Sequence, residues 1–370
     1  MLFDAVVVDE AAQALEPATL IPLQLLKPGG RVVLVGDTRQ LPPTVLSRAA
    51  EGARLAQSLF ERLERCGWPV VMLRQQYRMH PAISAWPGRW FYDGRLSDGA
   101  GVDASSRGAP FHGRAGGARG PFVVWDCGDG RERGGGGGGG GSLRNDSEVK
   151  LVAALAAGLL ADHPEDVGSI VLLTPYRAQA SALRAAAAAD PRLGAAAAAA
   201  GAALEVSTVD GFQGREADVV ILSCVRAQPG TATAGGGGVV PGGGARVGFL
   251  ADVRRMNVGL TRARRSLWVV CHAATLAGGG GAWRPLLEEA AARGALFEAR
   301  APYARAGRAA PRAAPLAAAL ADAAAARAAE ERARGAGGAA AGDQGAARRE
   351  AQPRAQAAAP AAEQRRRSNA

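Results

Sequence analysis

Two acidic residues follow an apolar, β-branched run near the start of the chain. Asp9 and Glu10 come directly after residues 2–8. One carboxylate at such a strand end can hold a hydrated Mg²⁺ that bridges two phosphates, and a second can orient and polarise an attacking water. Acidic residues also follow strands as helix caps, so the pair alone leaves both interpretations open. The phosphate chemistry requires a nucleotide site beside the pair.

A second polar segment follows the next apolar run. Residues 31–35 are mostly apolar, and GDTRQLPP follows at residues 36–43. Residues 16–26, between the two runs, have the length and apolar content of a helix with a kink at Pro22, which predicts a βαβ unit with two buried parallel strands. A structural turn would also account for the Gly-Asp and Pro-Pro pairs. Open α/β sheets bind ligands at the carboxyl ends of their strands, so we expect Gln40 to lie beside the acidic pair.

Three longer segments place arginines or a glycine-bearing loop beside predicted strands. They are LRQQYRMHP at residues 73–81, STVDGFQGRE at residues 207–216 and NVGLTRAR at residues 257–264. Strands are predicted from β-branched apolar runs at residues 70–73, 122–127, 170–174, 204–208, 218–224 and 266–271. Helical stretches such as residues 148–160 separate them. Strands that alternate with helices indicate a second parallel α/β domain.

Taken in order along residues 3–271, these segments resemble motifs II to VI of superfamily-one helicases. The first is DEAAQ at residues 9–13, and the others are those given above. The resemblance is closest to the branch that contains the up-frameshift and senataxin-type RNA/DNA helicases. It implies an α/β fold with two parallel-sheet RecA-like (P-loop NTPase) domains and ATP in the cleft between them. It also implies an ATP hydrolase that couples hydrolysis to translocation along single-stranded nucleic acid and to unwinding.

The resemblance gives roles to five residues around the phosphates. Asp9 would bind Mg²⁺, and Glu10 would act as the catalytic base. Gln40 would sense the γ-phosphate or the water, while Arg78 and Arg262 would reach the phosphate from the second domain as arginine fingers. ATP and Mg²⁺ are therefore the implied cofactors.

Further residues are implied to contact the rest of the nucleotide and the nucleic acid. Tyr77 would stack near the base, Gly214 would lie against the nucleotide, and Glu216 would contact the ribose. The residues implied in strand binding are Pro42, Tyr176, Thr208 and Val209. Tyr176 begins a YRAQ segment that resembles an additional strand-contact motif of the family. Single-stranded RNA or DNA is the implied partner, and the sequence names no protein partner.

The chain departs from the family pattern at the phosphate-binding P-loop. Such a loop requires Gly-x-x-x-x-Gly-Lys-Ser/Thr, in which backbone amides hold the phosphates and the lysine reaches the β and γ groups. The two lysines, Lys27 and Lys150, follow no glycine loop. We therefore expect the chain to be the C-terminal part of a longer helicase, with the first domain truncated and the second essentially complete.

Two consequences follow from a truncated first domain. Its strands would lack sheet neighbours and expose apolar surface. The chain alone would hydrolyse ATP negligibly, because the arginines of the second domain would meet a triphosphate with no P-loop beneath it. The alternative is a non-catalytic nucleic-acid-binding or regulatory module that has lost the P-loop.

Composition and charge divide the chain into three parts. The 370 residues include 51 Gly, 5% are aromatic, and the formal net charge is +10. Residues 293–370 hold 14 Arg against 7 Asp and Glu, so most of the excess charge lies in the Ala/Arg/Gly-rich tail. This tail is either an electrostatic anchor for a nucleic-acid strand or solvated filler.

We predict a partial first domain at residues 1–66 ending in a helix over 55–65, and a second domain at 67–275. Residues 276–370 are predicted to be a mostly disordered tail with one helix in 283–297. The stretches 134–141, 184–203 and 229–244 are interpreted as surface loops or linkers.

The same sequence excludes several classes of protein. The four cysteines form no CxxC pair and have no histidine at metal-ligand spacing, which favours reduced thiols over a zinc site or a disulfide framework. No apolar run reaches the roughly 20 residues that span a bilayer, and the N-terminus has no basic leader. We therefore expect a soluble intracellular protein, nuclear or cytoplasmic, without a membrane partner.

Overall fold

A six-stranded parallel sheet forms the centre of the chain in the computed structural model. The structure describes residues 1–113, 115–134, 142–199, 201–228 and 248–303, together with isolated positions between 306 and 325. All the elements given below belong to one compact unit, Met1–Asp322. Within the described residues, none of the helices combines the length and the apolar character that a bilayer-spanning segment needs.

The first strands form the predicted βαβ unit. Its elements are β1 (Phe3–Val8), α1 (Glu16–Leu23) and β2 (Leu26–Leu34). The strands pair in parallel with Val8 opposite Leu34, so their carboxyl ends lie side by side. Pro22 lies in the last turn of α1, which ends one residue later.

The prediction that both strands are buried is wrong. Val7 is 66% exposed, and Val32 and Val33 are exposed as well. In the described part of the chain the two strands make up a separate two-stranded sheet, and its one helix, α1, can cover only one face. The apolar surface expected of strands without sheet neighbours is therefore observed.

The helix predicted over residues 55–65 is present but shorter, and a separate short helix precedes it. The first helix is α2 (Arg48–Gly52), outside the predicted range, and the second is α3 (Leu59–Arg65). The second helix begins late because Ser58 caps it, with its Oγ accepting a hydrogen bond from the Glu61 amide at 3.0 Å. The capping residue, rather than the apolar pattern, sets this boundary.

The remaining elements build the larger α/β layer. In chain order they are β3 (Gln75–Gln76), α4 (Pro81–Phe91), β4 (Ser97–Asp98), β5 (Phe122–Asp126), β6 (Glu132–Gly134), β7 (Leu143–Asn145), α5 (Asp146–Asp162), β8 (Ser169–Thr174), α6 (Arg177–Ala189), α7 (Pro191–Ala199), β9 (Ala203–Thr208), β10 (Ala217–Ser223), α8 (Val253–Leu260), β11 (Ala263–Cys271), α9 (Ala273–Gly278), α10 (Trp283–Ala292) and β12 (Leu296–Glu298). The main sheet has the order β12-β5-β11-β10-β8-β9, and all its neighbouring strands are parallel. The predicted strands at 122–127, 170–174, 204–208, 218–224 and 266–271 are confirmed as β5, β8, β9, β10 and β11.

The core lies on both faces of this sheet because side chains alternate along each strand. Val124 and Leu222 belong to the core cluster that contains residues of α4, α8 and α10. Val123 and Ile221 belong to the opposite cluster, with residues of α5, α6 and α7. Burial of both faces explains why these strands are nearly continuous apolar runs.

Two predicted elements differ from the structure. Residues 70–73 form no strand, and the two-residue β3 after them pairs with β4 instead. The alanine-rich stretch interpreted as a loop is helical, as the end of α6 and as α7. Alanine has the highest helix propensity, and the fully buried Leu183 and Leu193 fix these helices on the core.

Ordered structure continues past the boundary expected at residue 275. The helix predicted within residues 283–297 is present as α10, and β12 then adds an edge strand to the main sheet beside β5. Trp283 and Leu296 are buried in the core, which fixes both elements. The glycine-rich stretches at 135–141 and 229–247 and most of residues 304–370 lie outside the described residues.

Candidate active site

The acidic pair lies where β1 ends. Asp9 and Glu10 follow Val8 directly, and both are exposed. Glu10 has a φ of 51°, a left-handed conformation that is costly for a non-glycine residue and that concentrates at functional sites. Its amide donates to Asp9 Oδ1 at 2.9 Å, and its Oε2 accepts from Gln13 Nε2 at 2.6 Å. The turn is thus held by local hydrogen bonds, and both carboxylates remain accessible to solvent.

The loop after β2 packs against this turn. The Ala11 amide donates to Val35 O at 2.8 Å. A Cβ on Gly36 would lie 2.8 Å from the Ala12 amide nitrogen, so only glycine fits at the crossing. The close approach explains the glycine of the Gly-Asp pair and joins the start of the loop after β2 to the turn after β1.

The Asp37 carboxylate fixes the orientation of the Gln40 amide. Asp37 Oδ2 accepts hydrogen bonds from Gln40 Nε2 at 2.7 Å and from the Tyr92 hydroxyl at 2.6 Å. With its nitrogen held in this way, Gln40 faces Arg262 through Oε1, which lies 3.4 Å from Arg262 Nη2. The amide oxygen of Gln40 is therefore left as the acceptor at the junction between the two layers of the chain, the βαβ unit and the larger α/β layer.

Arg262 is a buried cation next to Gln40. Its residue is 2% exposed, and its Nε donates to Val258 O at 3.1 Å. Burial, and then the charge of Arg78, lower the pKa of Arg262 to about 10, so the guanidinium is charged at neutral pH. Within the described residues no carboxylate lies within ion-pairing distance of it. A buried charge without a counterion is costly, so this position favours an anionic ligand.

Arg78 approaches the same place from the segment before α4. Its Nη1 donates to Thr261 O at 3.1 Å, one residue before Arg262. Its Nε donates to Glu216 Oε2 at 2.6 Å, and Arg264 lies 3.8 Å from the other oxygen of the same carboxylate. The structure therefore brings Arg78, Arg262 and Glu216 together, with Glu216 bound to Arg78.

Tyr77 and Gly214 lie in the polar segments that flank these arginines. Tyr77 is exposed, and its ring packs so closely on Gly99 that a Cβ there would lie 2.3 Å from Tyr77 Cε1. The carbonyl oxygens of Tyr77 and Arg78 accept hydrogen bonds from Arg107, which fixes their backbone. Gly214 has a φ of 75°, which few other residues adopt. One face of an aromatic ring is thus open to solvent beside the arginines.

Two residues at the junction were missed by the sequence analysis. Asn257 Nδ2 donates to the Tyr92 hydroxyl at 2.9 Å and to Arg39 O at 3.0 Å, so α8 and the end of α4 are both joined to the Gln40 loop. Burial and the Asp37 carboxylate raise the pKa of Tyr92, which keeps its phenol protonated as the donor. Asn257 begins a segment already singled out, whereas nothing in the sequence marks Tyr92.

Tyr92→Phe is expected to loosen the Gln40 loop. The change removes a hydrogen bond to a carboxylate, a class of bond that contributes about 1.5–3 kcal/mol, so amide hydrogen exchange in residues 37–42 should accelerate about tenfold or more. Tyr303→Phe is the matched control, because the Tyr303 hydroxyl also donates to a carboxylate, that of Asp129, at 2.7 Å. Exchange in the loop at the wild-type rate in Tyr92→Phe would show that the hydroxyl does not hold it.

The predicted strand-binding residues occupy two places. Thr208 ends β9 opposite Thr174 of β8, and Tyr176 follows two residues after Thr174, so Thr208, Val209 and Tyr176 share the carboxyl edge of the main sheet. Val209 and Tyr176 are buried, whereas Thr208 is half-buried. Pro42 lies in the Gln40 loop, two residues after Gln40. The side chain of Thr208 is thus the most accessible of the three at this edge.

The acidic pair offers a ligand of the kind that Mg²⁺ uses. Mg²⁺ binds through one or two carboxylates and completes its shell with waters and nucleotide phosphates rather than in an all-protein cage. Among the described residues, no group of three or more His, Cys, Asp or Glu side chains is arranged to hold a metal. The Asp9 carboxylate is exposed and accepts one backbone hydrogen bond through Oδ1. The residues therefore fit Mg²⁺ bound together with a nucleotide.

Comparisons with known proteins identify the family of the chain. A family model described as an AAA domain matches residues 55–274, and a second with the same description matches residues 1–48. Probable helicase MAGATAMA 3 of Arabidopsis thaliana is 40% identical over 302 residues, which cover 81% of this chain and 34% of that protein. Helicase SEN1 of Saccharomyces cerevisiae is 37% identical over 297 residues (80% of this chain, 12% of that protein), and human probable helicase senataxin is 35% identical over 312 residues (80% and 10%). The chain thus spans about a third or less of these relatives, and it belongs to the superfamily-one helicases of the up-frameshift and senataxin-like branch.

Proposed function

We propose that this chain is part of an ATP-dependent helicase, in which ATP hydrolysis drives translocation along single-stranded RNA or DNA and unwinding. The observation that carries the proposal is the pair of arginines beside Gln40: Arg262 Nη2 lies 3.4 Å from Gln40 Oε1, and Arg78 donates to Thr261 O, one residue before Arg262. A phosphate at this junction would explain why a guanidinium is buried there with no carboxylate of the described residues within ion-pairing distance. The comparisons give no support to the alternative of a non-catalytic module.

We assign the two layers to two RecA-like domains. Residues 1–66 would belong to the first and residues 67–275 to the second, to which α10 and β12 would be added. The separate two-stranded and six-stranded sheets support this division, as does the interval between the family matches at residues 1–48 and 55–274. The junction held by Asp37, Tyr92 and Asn257 would then lie between the two domains.

The residues near the acidic pair would each have a different role in hydrolysis. Asp9 would hold Mg²⁺, which when bound with ATP neutralises charge on the phosphate oxygens. Glu10 would accept a proton from the attacking water, since its carboxylate is exposed and one of its two oxygens, Oε2, accepts a hydrogen bond from Gln13. Gln40, with its nitrogen held by Asp37, would use Oε1 as the acceptor that orients the same water.

The arginines would stabilise the charge that develops on the transferred phosphoryl group. Arg262 is already buried and fixed by Val258 O, so its alignment requires little reorganisation during the reaction. Arg78 must first leave Glu216, and the released carboxylate could then accept hydrogen bonds from the ribose. Tyr77 would stack on the base, and the backbone at Gly214 would lie against the nucleotide.

The carboxyl edge of the main sheet would contact the nucleic acid. Thr208 would do so through its side chain, whereas the buried Val209 and Tyr176 would support the backbone around it, and Pro42 would contact the strand from the first domain. Such a protein would act in the nucleus or the cytoplasm, where RNA and DNA are found.

The proposal is tested by supplying the P-loop that the chain lacks. The 370-residue chain alone should show negligible ATP turnover, whereas a fusion that places the P-loop segment of a helicase relative before Met1 should hydrolyse ATP when single-stranded RNA or DNA is added. The same fusion with its P-loop lysine replaced by alanine is the control. A fusion that binds both ATP and the strand but shows no stimulated turnover would favour the non-catalytic module.

A further inference from the structure

Two arginines face each other on a short hairpin at the carboxyl edge of the main sheet. In the antiparallel pair of β6 and β7, Arg133 lies directly opposite Arg144. Their side chains are 68% and 47% exposed. Like charges at directly opposed positions destabilise a pair of strands, so this arrangement works against the stability of the hairpin.

The positive charge of this pair is only partly neutralised. Among the described residues Asp146 is the one acid that either arginine reaches, at 3.9 Å from Arg133 Nε and 3.4 Å from Arg144 Nε. Two guanidinium groups therefore share one exposed carboxylate. The exposed Arg177 starts α6 beside the hairpin, because its neighbour Ala178 donates to Ser142, the residue before β7, at 3.0 Å.

The first strand of the hairpin is fixed by its inward-facing side chain. Glu132, next to Arg133, accepts hydrogen bonds from Arg226 Nε at 2.8 Å and from the Ala227 amide at 2.9 Å. Arg226 and Ala227 follow the end of β10 and are buried. Arg133 is therefore carried on a strand that is attached to the centre of the sheet.

The second strand ends in a buried polar cluster. Asn145 donates through its amide to Gln179 Oε1 at 2.8 Å and through Nδ2 to Val225 O at 3.1 Å. Glu148 Oε2 accepts from Ser223 Oγ at 2.6 Å and from the Val225 amide at 2.8 Å. Val225 has a φ of 70°, which is strained for a β-branched residue and is held by these bonds. Arg144, next to Asn145, is thus also on a rigid base.

The hairpin lies at the same edge as the proposed strand-binding residues. It follows β5, whose last residue Asp126 lies opposite Cys271 at the end of β11. Arg262 precedes the first residue of β11 and lies at the opposite edge of the sheet. The arginine pair is therefore separate from the proposed ATP site and lies on the side of Thr208.

We infer that Arg133 and Arg144 form a phosphate-binding site for a single-stranded nucleic acid that extends the track from Thr208 past Arg177. The inference rests on the proposed helicase function. A strand that places phosphates against the pair would relieve the repulsion between the guanidiniums, and arginine binds phosphate oxygens in a bidentate manner. The rigid base would fix the backbone of both arginines, so that little backbone freedom remains to be lost on binding.

The test measures binding of fluorescein-labelled oligo(dT) and oligo(U) to the full 370-residue chain across a salt series. For single strands the slope of log K against log salt is about −0.7 per phosphate contact, so Arg133→Gln/Arg144→Gln should reduce the slope by about 1.4 and weaken binding about tenfold or more at 0.1 M salt. Asp146→Asn should tighten binding, because it removes the one acid that competes with the phosphates. Arg133→Lys/Arg144→Lys should restore most of the salt dependence.

A matched control removes the same charge elsewhere. Arg89→Gln/Arg284→Gln takes two exposed arginines from α4 and α10, where they pair with Glu289 and Glu288, and it should leave the slope unchanged. The thermal midpoint of the Arg133/Arg144 double variant should equal or exceed that of the wild type, since a repulsion is removed, and a lower midpoint would count against the strained pair.

Three outcomes would overturn the inference. If the wild-type chain binds the strands and the double variant keeps its slope, the hairpin site is absent while the proposed function stands. If the wild-type chain binds neither strand, the nucleic-acid part of the proposed function fails together with the inference. If polyglutamate of equal length displaces the strands as well as unlabelled oligo(dT) does, the site recognises acidic chains in general rather than nucleic acid.

Discussion

Arg262→Gln is expected to lower strand-stimulated ATP turnover about 10³-fold or more in a fusion that carries a P-loop before Met1. This is the contribution that an arginine finger makes to the rate in comparable enzymes. The buried guanidinium lies 3.4 Å from Gln40 Oε1, in a place where its charge is poorly screened. Its interaction with a phosphate strengthens as charge develops in the transition state, so ATP affinity should fall much less than turnover. The measurement is nucleotide affinity alongside the stimulated rate.

Two further variants separate the charge of Arg262 from its geometry. Arg262→Lys keeps a cation but cannot donate to Val258 O and reach Gln40 with one planar fork, so it should also hydrolyse ATP slowly. Arg265→Gln is the control, since this neighbouring arginine bonds to Asp166 O. Turnover of Arg262→Gln within a few-fold of wild type would mean that the buried cation does not meet the phosphate.

The parts of the fold that could be predicted from sequence are those set by side-chain pattern. The runs of β5, β8, β10 and the second half of β11 are buried on both faces, so each is a continuous apolar segment that stands out in the sequence, whereas the edge strand β9 is only partly buried. The end of α6 and all of α7 were missed because alanine runs were interpreted by composition, although Leu183 and Leu193 mark a buried stripe. A two-residue strand such as β3 leaves no pattern to recognise.

The burial of β1 could not be predicted from its own residues. An apolar strand is buried only if other elements cover it, and Val7 remains exposed because the described chain provides one partner strand and one helix. The burial of a strand depends on every element that covers its sheet, whereas the apolar pattern of the strand shows only that it would be buried in a fully covered sheet.

Some residues of the candidate site could likewise be predicted from the sequence, and others could not. Gln40, Arg78 and Arg262 were singled out by the resemblance of their segments to the helicase motifs, and the structure brings them to one junction. Tyr92 was missed because its contact with Asp37 joins residues 55 positions apart, which no local pattern reveals. The opposed arginines of β6 and β7 were missed for a related reason, since strands of three residues each carry no pattern that reveals their register.

Glu10→Gln in the same fusion is expected to lower turnover by about 10² or more, the loss typical of a positioned general base. Glutamine keeps the size of the side chain and can still accept the hydrogen bond from Gln13 Nε2, so the turn at φ 51° should persist. Asp9 is unchanged, and ATP with Mg²⁺ should therefore bind about as tightly as in the wild type. The amide of glutamine cannot take the proton from water, so the fusion should remain in an ATP-bound state on the strand.

The control for Glu10→Gln is Glu16→Gln, which removes a carboxylate from the same layer. Glu16 pairs with Arg62 at 2.7 Å on the surface and has no role in the proposed chemistry, so turnover should stay near the wild-type rate. Glutamine can still accept a hydrogen bond from Arg62 through its amide oxygen, so the fold should tolerate the change. If Glu10→Gln turns over ATP as fast as Glu16→Gln, the acidic pair is structural, and the proton must be taken by another group. Loss of ATP binding in Glu10→Gln would instead assign the residue to the metal and nucleotide rather than to the water.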